Sequence, residues 1–168
     1  MKRSLKLTSL SLTLLLSACA GSQNFKEDVA EANFKLGIGY MQSGHYEVAA
    51  EKLTKALQFN EGYPEAHNAI AVLYEEMREY NPAEIHFKRA IELKPDYTLA
   101  KLNYARFLCI REPVRTAEGE AELQKIVVDP ANAGATAADA YAGLATCARK
   151  RNDSTQAETL LRKALEIN

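Results

Sequence analysis

Small and large side chains recur along this chain with a spacing of 34 residues, and that period constrains the fold more than any other feature. Blocks starting at Ala30, Pro64 and Thr98 place Gly37, Ala71 and Ala105 at block position 8, and Tyr40, Tyr74 and Leu108 at position 11. Ala49, Ala83 and Ala117 share position 20, Leu53 and Phe87 position 24, and Ala56 and Ala90 position 27. A fourth block from Ala138 puts Ala145, Ala157, Leu161 and Ala164 at positions 8, 20, 24 and 27. Each block reads as two antiparallel helices, A and B. The small residues let A, B and the next A approach closely, and the large ones, Tyr40 and Tyr74 with Leu53 and Phe87, fill the space between. No block can bury its apolar face alone, so neighbours stack, which predicts an all-α, right-handed solenoid of about four helix-turn-helix repeats with a concave side. The absence of Trp and the low Gly and Pro counts agree with helix and not with a sandwich or barrel.

The turn chemistry follows the same frame. Ser43-Gly44-His45 and Glu79-Tyr80-Asn81-Pro82 are expected to separate A from B, and Lys94-Pro95-Asp96 the second block from the third. In the third block strict counting gives Ala121 and Gln124 at positions 24 and 27, a poor core. A shift of two residues brings in Gly119, Leu123, Ile126 and Pro130, which implies a longer turn over residues 112–116. Four more residues sit in the stretch 130–137, so the spacing to the fourth block is 40. The repeats are therefore read as 30–63, 64–97, 98–137 and 138–168. Solenoid ends ordinarily carry a polar capping helix. The last B helix here reaches Asn168 without one, as in a fragment or a chain that once carried further repeats.

The defining positions resemble those of the tetratricopeptide repeat. Their wording goes further: Pro64-Glu65-Ala66-His67-Asn68-Ala69-Ile70-Ala71, Leu102-Asn103-Tyr104-Ala105-Arg106-Phe107-Leu108-Cys109 and Tyr141-Ala142-Gly143-Leu144-Ala145-Thr146-Cys147-Ala148 are similar to the type IV pilus biogenesis and stability lipoproteins, the PilW/PilF pilotin family. The resemblance runs from Cys19 onward and includes an insertion between the third and fourth repeats. It implies a pilotin that helps the pilus secretin reach the outer membrane and multimerise. Members carry more repeats than the four visible here.

The first residues read as an address. Met1-Lys2-Arg3 and Lys6 form a basic start, residues 7–16 are Leu-rich, and Ser17 and Ala18 are small, the layout of a secretory signal peptide. The apolar run is about half of what a spanning helix needs. Leu16-Ser17-Ala18-Cys19 resembles a bacterial lipobox, in which the Cys19 thiolate takes a diacylglycerol; the alternative is a plain cleavable signal with an incidental cysteine. The reading is a leader over 1–18, then a lipidated Cys19 and short tether over 19–29, with acyl chains as the membrane anchor. Ala20 follows the cysteine, where Asp would suggest inner-membrane retention in such lipoproteins, so the expected address is the periplasmic face of the outer membrane. Cleavage removes Lys2, Arg3 and Lys6 of the 21 basic residues and leaves 18 against 22 acidic ones.

Charges are interspersed, with no basic stripe of the kind nucleic-acid binders show. Cys109 and Cys147 fall late in neighbouring A helices, which makes a disulfide feasible in an oxidising compartment; two buried free thiols are the alternative. Positions 2, 5, 9 and 12 of the A helices face the concave side and include Phe34, Ile38, Met41, Asn68, Val72, Glu75, Leu102 and Arg106. Apolar side chains beside Asn and Arg suit an extended or helical peptide, although Phe34 and Leu102 equally suit packing within the array. His45, His67 and His86 fall in three settings without metal spacing, with His45 and His86 read as solvated. Glu75-Glu76 reads as solvated helix surface. No nucleophile motif or phosphate loop is present, so no catalytic residues, cofactor or metal are expected. Two functions compete: a pilotin that binds a secretin segment, and a general periplasmic scaffold that docks envelope enzymes such as peptidoglycan hydrolases.

Overall fold

A computed structural model describes residues 9–111 and 113–167, with side chains from residue 24 onward apart from Pro113. The leader reading of 1–18 and the lipidation of Cys19 fall outside the described side chains. Eight α-helices and two short 3-10 turns make up the described residues, which contain no β-strand. They are α1 (Ser9–Gln42), α2 (Tyr46–Phe59), α3 (Pro64–Glu76), α4 (Tyr80–Leu93), α5 (Thr98–Arg111), α6 (Thr116–Val128), α7 (Ala135–Lys150) and α8 (Ser154–Ile167). Among the described residues no helix is long and apolar enough to cross a membrane. The chain divides into two compact units, 1–62 and 63–168.

In the first unit α2 packs on α1. Ala49, Leu53 and Ala56 recur at helical spacing and form its buried face. Leu53 lies so close to Gly37 that a Cβ there would come within 2.6 Å of Leu53 Cγ, so the small residue at position 8 is required. The segment 19–29 lies on α1. Tyr40, read as filler, is 37% exposed and sets its ring edge against His45.

The second unit holds three helix pairs, α3 with α4, α5 with α6 and α7 with α8, and its A helices α3, α5 and α7 lie side by side. Phe87, Tyr104, Phe107 and Leu108 form one core with Ala71 and Ala83. Leu102, Ala105, Leu123, Ile126, Ala140 and Leu144 form the next, around Cys109 and Cys147. On α6 the buried residues are Thr116, Gly119, Leu123 and Ile126, while Ala117 is exposed. The two-residue shift therefore holds in space. The extra residues enter as a 3-10 turn at Pro113–Arg115, and a second such turn, Pro130–Asn132, occupies the insertion before α7.

The turn inside a repeat is not where Glu79-Tyr80-Asn81-Pro82 suggested. Helix α4 begins at Tyr80, and the chain reverses at Arg78, with φ of 63°. Gly44 and Asn152, the equivalent residues of the first and fourth blocks, also have positive φ. All three follow one hydrogen-bond scheme: His45 N to Tyr40 O, Glu79 N to Tyr74 O and Asp153 N to Ala148 O close the same helix-ending loop. Leu161, expected in the core, is 44% exposed, and Leu160 packs inward in its place. The equivalent Leu123 is covered by α7 at Gly143, whereas α8 packs chiefly on α7 with its other side in solvent.

Candidate partner-binding site

On α1, Phe34, Ile38 and Met41 are half-buried at helical spacing. Around the helix from them, Lys35, Leu36, Gly39, Tyr40, Ser43 and His45 line a shallow pocket of about 390 Å³, with Leu36 52% exposed.

In the second unit the predicted residues separate into two groups. Leu102 is only 4% exposed and belongs to the core, because α5 turns it toward α6 and α7. Asn68 is also buried; its Oδ1 accepts a hydrogen bond from Asn103 Nδ2 at 3.2 Å, which links α3 to α5. Val72 and Glu75 are half-buried and Arg106 is exposed, and these remain at the surface of the A helices. Glu75 is not the solvated carboxylate its neighbour Glu76 is. Burial pushes its pKa up, against the pull of Arg111 and Arg106. Arg111 Nε lies 3.7 Å from Glu75 Oε1, and its guanidinium sits 4.7 Å from the Tyr80 ring centroid. Neither Asn103 nor Arg111 was among the predicted site residues; the one signal for Arg111 was its place at the end of α5, opposite the end of α3.

A polar clamp holds the longer turn of the third repeat. Arg115 donates from Nη1 to Glu84 Oε1 at 2.5 Å, from Nη2 to the Tyr104 hydroxyl at 2.8 Å, and from Nε to Glu118 Oε2 at 2.9 Å. Burial alone would raise the pKa of Glu84, but hydrogen bonds from Lys88, Arg115 and Tyr104 outweigh it and hold the carboxyl at about 2.

The histidines depart from expectation. His67 is 7% exposed, and its Nδ1 lies 2.9 Å from His86 Nδ1 across the α3–α4 hairpin. His86 is half-buried between His67 and the Tyr74 ring, and burial, then His67, lowers its pKa to about 4. The two therefore share one setting, one Nδ1 donating to the other according to the tautomer. Among the described residues no group of three or more His, Cys, Asp and Glu side chains is arranged to hold a metal.

Cys109 on α5 and Cys147 on α7 are joined by a disulfide, with Cα atoms 5.0 Å apart and a sequence separation of 38. Closing such a loop stabilises by about 4 kcal/mol in the chain-entropy account.

The tetratricopeptide repeat signature matches residues 30–63, 64–97 and 138–168, together more than half of the chain. The chain belongs to the tetratricopeptide repeat family. The matched repeats begin at Ala30, Pro64 and Ala138, and the block over 98–137, which lies between the second and third matches, is the one with the lengthened turn. An uncharacterized protein of Haemophilus influenzae is 27% identical over 122 residues, 70% of this chain and 68% of the relative. The type IV pilus assembly protein PilF of Pseudomonas aeruginosa is 30% identical over 83 residues, 49% of this chain and 33% of that protein. The solved PilF structure has a TM-score of 0.72 at 25% identity, over 85% of this chain and 63% of PilF. PilW, described as a widely conserved type IV pilus biogenesis factor, has a TM-score of 0.73 at 28% identity, over 82% of this chain and 61% of PilW. The tetratricopeptide chain thus spans one third of the curated PilF sequence and about three fifths of the solved PilF and PilW chains.

Proposed function

We propose that this chain is a lipoprotein of the outer membrane, anchored at Cys19, whose repeats hold a segment of the type IV pilus secretin and support its assembly. The likeness to PilF and PilW carries the reading, since both are named for type IV pilus assembly or biogenesis and their fold runs through most of this chain. The Leu16-Ser17-Ala18-Cys19 junction supports the anchor. Stacked A helices with Val72, Glu75 and Arg106 at their surface support a protein ligand, because apolar contact and charge are presented together on rigid elements. The reading assigns no reaction to the chain; its work is to hold a partner in place at the membrane.

Deleting the gene and probing secretin multimers in the outer membrane tests this. The expected result is loss of multimers and of surface pili, with Cys19→Ser giving the same defect through loss of the anchor. Normal multimers and normal piliation in the deletion strain would reject the secretin role. A pull-down that then recovers peptidoglycan hydrolases and no secretin would point to the general scaffold.

A further inference from the structure

We propose that copies of this chain stack head to tail, with α8 of one copy seated on the open face of α1 in the next. Self-association of this kind is independent of the secretin role. Inside the second unit, B helices bury the same two positions against the A helix that follows. Position 24 is Phe87 on α4, whose ring centroid lies 6.0 Å from that of Tyr104 and 5.6 Å from that of Phe107, positions 7 and 10 of α5. After the two-residue shift it is Leu123 on α6, whose Cδ2 lies 2.9 Å from a Cβ built on Gly143, position 6 of α7. Leu123 shares a core with Leu144 and Cys147, positions 7 and 10 of α7. Position 28 follows one turn later as Ile91 and Val127, packed on those two cores. On α8 the same positions are Leu161 and Leu165, and they are 44% and 76% exposed. Solenoid ends ordinarily present a polar face to water; this one presents leucines.

The matching half of the interface lies open on α1. Its position 7 is Leu36, 52% exposed, although the equivalent Tyr104 and Leu144 are buried. Its position 10 is Gly39, and nothing lies within 4 Å of a Cβ built there, although the equivalent Phe107 and Cys147 are buried. Lys35, Leu36 and Gly39, positions 6, 7 and 10, line the shallow pocket of about 390 Å³. Those are the positions against which Phe87 and Leu123 pack in the second unit. The pocket is thus the open counterpart of an interface the array builds twice, and Leu161 is the side chain that the repeat frame brings to it. Ion pairs of both signs, Lys35 with Glu31 and Arg162 with Glu158, lie on the two helices, so like charges do not bar the approach. Covering Leu36, Leu161 and Leu165 removes apolar surface from water at each joint. Two different surfaces meet in such a contact, so each added copy leaves an α1 face at one end and an α8 face at the other, and growth continues.

Sedimentation velocity of the detergent-solubilised full-length protein tests this, with micelles in large excess so that anchors do not hold two copies together. The wild-type protein is expected to give a concentration-dependent series of dimers, trimers and longer species. Leu161→Glu and Gly39→Arg should each weaken self-association about tenfold or more, by placing a charge in the apolar joint. Both positions are exposed, and circular dichroism should show each variant as helical as the wild type. Mixed together, the two variants should form a one-to-one dimer that grows no further, because one keeps only its α1 face and the other only its α8 face. Misfolded variants could not rescue each other in that way. A wild-type protein that stays monomeric, whatever else α8 binds, would overturn the stack. Full self-association of either variant alone would overturn it too, since that is the mark of a symmetric contact, and so would variants that fail to pair when mixed.

Discussion

Gly119 on α6 faces the Ala105 carbonyl of α5 so closely that a Cβ there would come within 2.5 Å of the oxygen and 2.9 Å of Cys109 Sγ. The contact marks where the third repeat recovers its register after the lengthened turn. Backbone cannot yield as a flexible side chain does, so Gly119→Ala should destabilise the protein by about 2–3 kcal/mol. Gly39 is also helical, yet nothing lies within 4 Å of a Cβ built there. Gly39→Ala should stabilise by about 0.5–1 kcal/mol. Urea unfolding midpoints of the two variants are expected to move in opposite directions.

Three repeats end helix A with the same left-handed residue, Gly44, Arg78 or Asn152. Only Gly44 adopts it without a Cβ penalty. Arg78→Gly should raise stability by about 0.5–1 kcal/mol, the left-handed penalty less the added freedom of glycine in the unfolded chain. Gly44→Ala should lower it by a similar amount. Thermal melts of the pair check the sign.

Acid should weaken the fold in two separate windows. His86 has a folded pKa of about 4 against 6.5 for a free ring, so below pH 6.5 the unfolded chain takes up a proton that the folded chain refuses. Stability therefore falls as pH drops from 6.5 toward 4, by about 1 kcal/mol at pH 5 once the ring's partial exposure is allowed for. Glu84 titrates at about 2 in place of 4.5, so its contribution is present above pH 4.5 and is lost as pH falls toward 2. Urea midpoints measured across pH should lose the upper step in His86→Gln and the lower step in Glu84→Gln.

The Cys109–Cys147 bond ties α5 to α7 across the 3-10 turns and α6, where the repeat is most irregular. Replacing both cysteines by alanine should lower stability by about 2–4 kcal/mol. Adding reductant to the wild-type protein should reproduce that shift and leave the double variant unchanged.

The helix pairs were legible because close approach leaves a residue type behind it: Gly37, at position 8, is small because Leu53 lies against it. The shift of register in the third block was legible for the same reason, since only Gly119, Leu123 and Ile126 restore the small–large–apolar order. Contacts that depend on where a hairpin turns were not legible. His67 and His86 are 19 residues apart, and their meeting requires the reversal at Arg78 and not in the following tetrad. The Arg115 clamp spans 31 residues to Glu84, with no periodic signature. Concave-face counting brought Val72, Glu75 and Arg106 to the surface of the A helices. It also included Leu102, because a leucine one position off the buried stripe has the same side chain as one within it.

The central claim is that the A-helix surface of the second unit holds a protein partner. Site-specific photocrosslinking in living cells tests it most directly, with a photoreactive residue placed at Val72 or Arg106 and, for comparison, at Ile85, which is 67% exposed on the B helix α4. The account predicts a discrete adduct with an envelope protein from positions 72 and 106 and none from position 85. Adducts from position 85 alone, with positions 72 and 106 silent, would contradict it.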